Sequence, residues 1–415
     1  MSTKSNKTVW IVSELYYPEE TGTGYYLTHI AEGLARHHDI KVICNQPSYS
    51  ARGVRAPSEE NLNGVIIKRC STPTLNQNNF ATRLINFLTV SLSIFFHSLL
   101  RIQKQDSVLV VTNPPLLPFL VLIACRIRRA KCALLVHDVY PDAMIAARIM
   151  NENSALSNIF RYLNRVLYQK MDQIGVLGRD MEDLVKVRLG DKLNDQLKLT
   201  RCWADIDEIR PSPRAENLLL NELGLQDKFV VQYAGNIGRV QDIETLIKAI
   251  SALNEMVDDV HFLIIGSGVR RQWLENEIKA KRLKNCTLLD PLPRSEQQLF
   301  LNACDVAIIS LVPSMTGVGV PSRMYNVLAS GKPIIAAVDQ ESELARVINE
   351  EGVGWLVPVE QPAKLVEAIL NAKSGNDLIP EMRLRARTVA EQRFSYQQVL
   401  PSYEELVESL DYHEN

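Results

Sequence analysis

No Cys-x-x-Cys pair occurs in this sequence; its seven cysteines are scattered over 415 residues. An odd, dispersed set reads as reduced, buried thiols of a cytoplasmic protein. Neither sign of charge dominates, since 46 Lys and Arg stand against 48 Asp and Glu, for a net charge of −2. That balance argues against a general nucleic-acid binder. No uninterrupted run of about 18 apolar residues is present, so no membrane-spanning helix is predicted. The apolar run after MSTKSNK is too short for the core of a signal peptide. Low-complexity segments and tandem repeats of one sequence are lacking as well.

What is present has an ordinary globular composition, 46% hydrophobic and 23% charged. A chain of 415 residues exceeds what one core usually organises, so two domains are expected. Short apolar runs alternate with helical stretches. VWIV (9–12), VLVVT (108–112), CALLV (132–136) and QIGVL (173–177) form one series of candidate strands. FVVQYAG (229–235), VHFLIIG (260–266), CTLL (286–289), DVAIIS (305–310) and PIIAA (333–337) form a second. Continuous apolar runs suit parallel strands covered on both faces. Strand and helix in alternation mean right-handed βαβ units. The predicted fold is α/β: two doubly wound, Rossmann-like domains facing a cleft, residues 1–205 and 206–392, with a break at IDEIRPSPRAEN (206–217). FSYQQVLPSYEELVESL (394–410) reads as an amphipathic helix interrupted near Pro401. Residues 393–415 are expected to pack back on the first domain.

In open α/β sheets ligands bind at the carboxyl ends of the strands, so the loops after each strand are expected to carry the chemistry. Gly22, Thr23 and Gly24 sit just before the helix of YYLTHIAEGLA. They read either as bare amides for a phosphate or as a plain strand-to-helix turn. VHDVYPDAM (136–144) puts His137 and Asp138 at a strand end, as catalytic candidates or as packed residues. AGNIGRVQDIETLI holds Gly235, Asn236 and Gly238 in a tight loop, with Arg239 expected to open the following helix. A cation disfavours that helix end unless an anion is near, and an arginine can grip two phosphate oxygens. IIGSGV (264–269) and DPLPR (290–294) are generic for such folds.

GVGVPSRMYNVLASGKPII (317–335) is the most informative stretch. Gly317 and Gly319 loosen a loop. Pro321 and Ser322 are expected to start a helix, with Ser322 as its N-cap. Arg323 then falls in the first turn, again the wrong end for a cation. Asn326, one turn on, offers an amide to hydroxyls. Gly331 and Pro333 end the helix and open the next strand. Two cations, Arg239 and Arg323, make sense if a diphosphate lies between them. DID (205–207) matches an Asp-x-Asp metal pattern but lies between the domains, far from the glycine loops, and no metal site is predicted.

PSRMYNVLASGKPII, GNIGR, VHDVYPD and RCWADIDEIRP together resemble glycosyltransferase family 4, in particular the bacterial branch that builds capsules, O-antigens and exopolysaccharides. The resemblance spans nearly the whole chain. It implies a GT-B fold, a nucleotide-diphosphate sugar donor (UDP- or GDP-linked) on the C-terminal domain, no other cofactor, and retention of anomeric configuration. It makes Arg239 the diphosphate-binding arginine and Gly22–Gly24 the glycine loop facing the diphosphate. It sets His137 near the transferred sugar. The family's lysine a few residues after the arginine is absent, where VQDIE stands, and Arg323 supplies the second charge. The family's Glu-x7-Glu is also altered: Val318 and Asn326 stand at those positions, Asn326 at the ribose. Gly319 and Ser322 complete the expected donor contacts.

Two apolar segments remain, LINFLTVSLSIFFHSLL (84–100) and PLLPFLVLIACRIRRAK (115–131), the second ending in Arg126, Arg128, Arg129 and Lys131. A buried helix with a solvated basic turn explains them. So does a surface that dips into anionic lipid headgroups. With the resemblance, the second reading implies a saccharide acceptor linked to undecaprenyl diphosphate. The protein would then be cytoplasmic, peripheral on the inner face of the plasma membrane. A non-hydrolysing nucleotide-sugar epimerase and a non-catalytic nucleotide-sugar-binding subunit are the rival expectations.

Overall fold

The computed structural model describes residues 7–48, 51, 53–73, 75, 80–189, 195–375 and 378–410. It divides into two compact units: Met1–Pro141 with Asn153–Arg201 and Leu400–Asn415, and Asp142–Glu152 with Cys202–Val399.

In the first unit the strands are β1 (Thr8–Val12), β2 (Asp39–Asn45), β3 (Glu59–Leu62), β4 (Val65–Cys70), β5 (Ser107–Val111), β6 (Lys131–Val136), β7 (Gln173–Val176) and β8 (Leu197–Leu199). The helices in this stretch of chain are α1 (Gly22–Leu34), α2 (Phe80–Arg101), α3 (Leu117–Arg128), α4 (Asp142–Ala146), α5 (Ala155–Lys170) and α6 (Arg179–Leu189), of which α4 belongs to the second unit. The sheet order is β3-β4-β2-β1-β5-β6-β7-β8. Only β3 runs antiparallel. β1, β5 and β6 are buried along almost their whole length, which is why they read as unbroken apolar runs. β2, β3, β4 and β8 escaped the sequence reading, because polar residues interrupt their apolar pattern.

The second unit runs α7 (Leu218–Glu222), β9 (Phe229–Ala234), α8 (Ile243–Met256), β10 (Val260–Ile265), α9 (Arg271–Ala280), β11 (Cys286–Leu289), α10 (Gln297–Leu301), β12 (Val306–Ser310), α11 (Arg323–Ala329), β13 (Ile334–Ala337), α12 (Glu343–Glu351), β14 (Gly354–Val357), α13 (Pro362–Ser374) and α14 (Leu378–Gln392), and α15 (Tyr396–Glu408) follows, beginning in this unit and continuing in the first from Leu400. Its sheet is parallel throughout, in the order β11-β10-β9-β12-β13-β14. Leu246, Ile250 and Leu253 of α8 and Leu365 and Ile369 of α13 close one face over Val231, Phe262 and Ile264.

The units correct the expected boundaries. The main crossing comes at Arg201, not Asp205, because Ala204 donates its amide to Phe394 and bridges Ser395 of the second unit. Residues 142–152 also belong to the second unit, where Arg148 pairs with Glu360. At the other end, 393–399 stay with the second unit and only 400–410 of the described tail joins the first. There Tyr403 donates to the carbonyls of Thr200 and Arg201 at 3.2 and 2.9 Å. α15 runs unbroken through Pro401, so the expected interruption does not occur.

α2 packs against β2, β4 and α3, with Val90, Ser91, Ile94 and Ser98 buried on its inner face. Among the described residues, Leu84–Arg101 is the one stretch long and apolar enough to cross a membrane, although no such helix was expected. Polar residues dispersed in the segment hid it from a search for uninterrupted runs. Only 28% of the stretch is buried, so it is not the enclosed core helix of the first expectation.

Candidate active site

Each sheet has one topological switch point, where successive strands leave to opposite sides, and ligands favour the crevice at its carboxyl edge. In the second unit it lies between β9 and β12. The loops there are 235–242, which holds Arg239, and 311–322, which leads into Arg323 at the start of α11.

The 235–242 loop is seated from both sides. The amides of Gly235 and Ile237 donate to the carbonyls of Ile265 and Ser267 at 2.9 and 2.7 Å, and Val312 donates to Val240 at 3.0 Å. The approach is close enough to demand glycines opposite. A Cβ on Gly266 would stand 1.9 Å from the Gly235 carbonyl oxygen, and one on Gly268 2.4 Å from that of Ile237. The IIGSG turn is thus the seat of the GNIGR loop. The Gly238 N–H is engaged within the loop, donating to Gln241 Oε1 at 3.0 Å. Asn236 is exposed.

Arg239 does not open a helix. α8 begins at Ile243, capped by Asp242, which accepts from the Thr245 amide at 3.0 Å. Arg239 is instead an exposed loop residue, so the unfavourable helix end cannot be what calls for an anion there. Arg323 does stand at the first position of α11. Ser322 precedes it in helical conformation and makes no side-chain cap, contrary to expectation. The Arg323 guanidinium carbon lies 4.6 Å from the Tyr233 ring centre, and the Tyr233 hydroxyl donates to the Asn236 carbonyl at 2.6 Å. A Cβ on Gly235 would meet Arg323 Nη1 at 3.2 Å. The strand end, the glycine loop and the second arginine therefore converge. Neither Arg239 nor Arg323 has a hydrogen-bond or ion-pair partner among the described residues. Arg214, Arg270, Arg271 and Arg294 of the same unit are all paired with carboxylates.

Before α11, Gly317 takes φ +70° and Gly319 is half-buried. Asp339, past the end of β13, accepts from the Met315 amide and the Thr316 hydroxyl, both at 3.2 Å, and so fixes the entry to this loop. Asn326 is not available to a ribose. It is buried, its amide group donates to Asp205 and Gln297 at 3.0 Å each, and its oxygen accepts from the Asp205 amide at 3.0 Å. Asp205 also pairs with Arg294. The Asp-x-Asp segment is thereby an internal anchor. Among the described residues no cluster of three or more His, Cys, Asp or Glu is placed to hold a metal.

In the first unit the switch point lies between β1 and β5. Gly22–Gly24 form the first turn of α1 and not a loop ahead of it. Gly24 is not a bare amide either, for it donates to the Thr21 hydroxyl at 3.2 Å, and a Cβ there would stand 2.4 Å from the Glu19 carbonyl. The Thr23 hydroxyl lies 3.3 Å from His137 Nδ1. The Thr112 hydroxyl accepts from the amides of His137 and Asp138 at 3.1 and 3.2 Å. Asn113 bridges Asp138 and Tyr140, donating to the first at 2.8 Å and accepting from the second at 2.5 Å. Burial lowers the His137 pKa to about 4, so the imidazole is neutral at pH 7. Burial raises the Asp138 pKa, against the Asn113 hydrogen bond.

Sequence reasoning missed Thr112, Asn113, Tyr233, Asp339 and Glu14. All lie just past a strand end, apart from Tyr233, which is one residue before it. A scan of every polar residue within two positions of a strand's carboxyl end would have found them.

Comparison with known proteins follows these two units. Residues 218–393 match the model of glycosyl transferases group 1, and residues 21–192 match a glycosyl transferase 4-like domain. The "Probable glycosyltransferase WbjE" of Pseudomonas aeruginosa is 30% identical over 365 residues, 87% of this chain and 88% of that protein. WcaI of Escherichia coli (strain K12), described as a colanic acid biosynthesis glycosyl transferase by inference, is 24% identical over 403 residues, 94% of this chain and 96% of that one. Among solved structures, sucrose-phosphate synthase from Thermosynechococcus elongatus superposes with TM-score 0.77 at 16% identity, covering 97% of this chain and 99% of that one. Anabaena Alr3699/HepE, solved with UDP-glucose, gives 0.71 at 14% identity with the same coverage.

Proposed function

This chain belongs to the glycosyltransferase family of GT-B fold whose group 1 and 4-like domains it carries, and from that membership we propose a retaining, metal-independent transferase that moves a sugar from a nucleotide-diphosphate sugar to a lipid-linked saccharide. The similarity to WbjE and WcaI supports a role in cell-surface polysaccharide synthesis. The observation that carries the donor assignment is a pair of guanidinia, Arg239 and Arg323, at the switch point of the second sheet, with no hydrogen-bond or ion-pair partner among the described residues. Such a pair suits the two phosphates of a nucleoside diphosphate.

In the proposed reaction the acceptor hydroxyl forms its bond to the anomeric carbon on the face from which the diphosphate departs. The bond from that carbon to the phosphate oxygen breaks, and the hydroxyl proton passes to the leaving phosphate. Arg239 and Arg323 meet the charge that develops on the diphosphate. Arg323 is held for this by Tyr233, whose ring face favours a cation. His137, neutral at pH 7, exchanges hydrogen bonds without adding charge. The family match favours the transferase over the epimerase, and turnover with an acceptor would exclude a non-catalytic nucleotide-sugar-binding subunit.

The lipid-linked acceptor draws on a second observation. α2, α3 and α5 are neighbours, and they leave Leu92, Phe96, Leu100, Ile127, Ile159 and Tyr162 exposed. Arg126, Arg128 and Arg129, also exposed, close the basic end of α3. An apolar patch with a cationic border fits the boundary of an anionic bilayer. With seven free cysteines, the proposal is a cytoplasmic protein peripheral on the inner face of the plasma membrane, acting on an acceptor carried by undecaprenyl diphosphate.

A thermal-shift panel with UDP, GDP, ADP and dTDP, each with and without EDTA, tests the donor reading. HepE was solved with UDP-glucose, which makes UDP the first to try. A nucleotide at ~100 times its dissociation constant should stabilise the fold by about 2.7 kcal/mol. A shift with one nucleotide, unchanged by EDTA and lost in Arg239→Ala and Arg323→Ala, is the expected result. No shift with any of them would overturn the diphosphate assignment.

A further inference from the structure

Glu14 lies two residues beyond β1, at the switch point of the first sheet. Its carbonyl accepts from the Asn45 amide at 3.1 Å, which fixes the backbone beside the end of β2. On the other side β1 pairs with β5, Val12 opposite Val110, so Glu14 comes level with Thr112. β5 in turn pairs with β6, Val111 opposite Leu135, and Thr112 receives the amides of His137 and Asp138. Glu14, Thr112 and His137 thus mark three adjacent strand ends along one edge. With strands about 4.8 Å apart, the row spans roughly 10 Å, the reach of one or two sugar rings.

Glu14 and Glu19, on the same stretch of chain, behave differently. Glu19 is buried and satisfied, accepting from the Ser48 and Ala51 amides at 2.6 and 3.2 Å, so it serves the fold. Glu14 is half-buried, and its carboxyl has no hydrogen-bond or ion-pair partner among the described residues. A carboxyl taken partly out of water with nothing to receive it is costly, and such groups gather at functional sites. Burial, with repulsion from Glu19, raises its pKa to about 7. The flanking strand ends bring no countercharge: Asn45 ends β2 and Gln46 follows it, and Thr112 and Asn113 follow β5. His137 and Asp138, one strand further, are the next titratable groups along the edge.

We propose that Glu14 is an acceptor-binding residue of the transferase, its carboxylate receiving a hydrogen bond from a hydroxyl of the incoming saccharide. This rests on the transferase reading above. It assigns to the first unit a contact that neither the family's altered glutamate pair nor the donor arginines provide. A hydroxyl bound to the carboxylate needs Glu14 ionised, so acceptor use rises with pH through about 7.

The test compares wild type with Glu14→Gln and Glu14→Asp. The acceptor probes are octyl-linked mono- and disaccharides and an undecaprenyl-diphosphate-linked saccharide, with the nucleotide sugar whose nucleotide shifts the melting temperature. Glu14→Gln should lower kcat/KM for the acceptor ~10- to 100-fold, the size of a lost hydrogen bond to a charged group. It should also abolish the rise of kcat/KM near pH 7, while Glu14→Asp keeps part of that limb. The donor KM and the nucleotide thermal shift should not change. A Glu14→Gln enzyme with wild-type acceptor kinetics and pH profile would overturn the assignment. So would a variant that loses nucleotide binding instead, while leaving the transferase reading intact. A wild type that binds nucleotide but transfers to none of these acceptors would overturn the acceptor reading, and the Glu14 role with it.

Discussion

Arg323 stacks its guanidinium on the Tyr233 ring, 4.6 Å from centre to centre, and the same tyrosine's hydroxyl holds the Asn236 carbonyl. One buried ring therefore fixes both a cation and the loop that carries the other cation, Arg239. Arg323→Ala should lower kcat by ~10²–10³ and remove the nucleotide thermal shift. Arg323→Lys should not restore it, because an ammonium lacks the planar fork and stacks poorly. Steady-state kinetics with saturating donor check the first effect, and a full recovery in the lysine variant would refute the second.

Asn326 separates a structural role from a ligand role. Its amide ties α11 to Asp205 and Gln297 inside the second unit. Asn326→Ala should cost about 2–3 kcal/mol of stability, since it strands buried polar partners. The nucleotide dissociation constant should stay within a factor of about 2 once folding is corrected for. Urea unfolding and calorimetric titration measure the two separately. A large loss of affinity with unchanged stability would restore the ribose reading.

Those two residues also show how far the sequence could be read. The place of Arg323 on the first residue of a helix was legible, and the electrostatic misfit of a cation there is written in residue order. Asn326 was misread because its partners, Asp205 and Gln297, lie 121 and 29 residues away, and no local pattern records such contacts. The strands that form unbroken apolar runs were legible, whereas β2, β3, β4 and β8, interrupted by polar residues, and the four-residue β14 were not. Arg239 was identified as a site residue for a reason that does not hold, since α8 starts four residues later. Its absence of a partner is visible only in three dimensions.

His137 gives a pH signature. Its pKa falls from 6.5 to about 4 on burial, so between those values the unfolded chain binds a proton that the folded one does not. Stability therefore falls as pH drops from about 6.5 to about 4, and is unaffected by this group above that range. Replacing His137 by Asn should flatten this part of the profile, recovering about 2–3 kcal/mol at pH 4.5 relative to pH 7. Unfolding curves across pH 4–8 provide the check; parallel profiles would mean that His137 titrates normally.

The face formed by α2, α3 and α5 makes the membrane part of the proposal measurable. Phe96 is 57% exposed and Leu100 78%, although water disfavours both. Inserting one such side chain into the interface is worth about 1.5–3 kcal/mol, and each cation near an anionic surface about 1 kcal/mol. Two separate signatures follow. Flotation with phosphatidylglycerol-containing vesicles should exceed flotation with phosphatidylcholine alone and should weaken as salt rises, because the basic border of α3 is screened. Phe96→Asp should reduce binding at least ~10-fold at every salt concentration, because it removes the apolar contribution. The substitution lies on the outer side of α2, away from Val90, Ile94 and Ser98, so the melting temperature should hold. Binding that ignores both lipid charge and Phe96→Asp would leave this face without a membrane role.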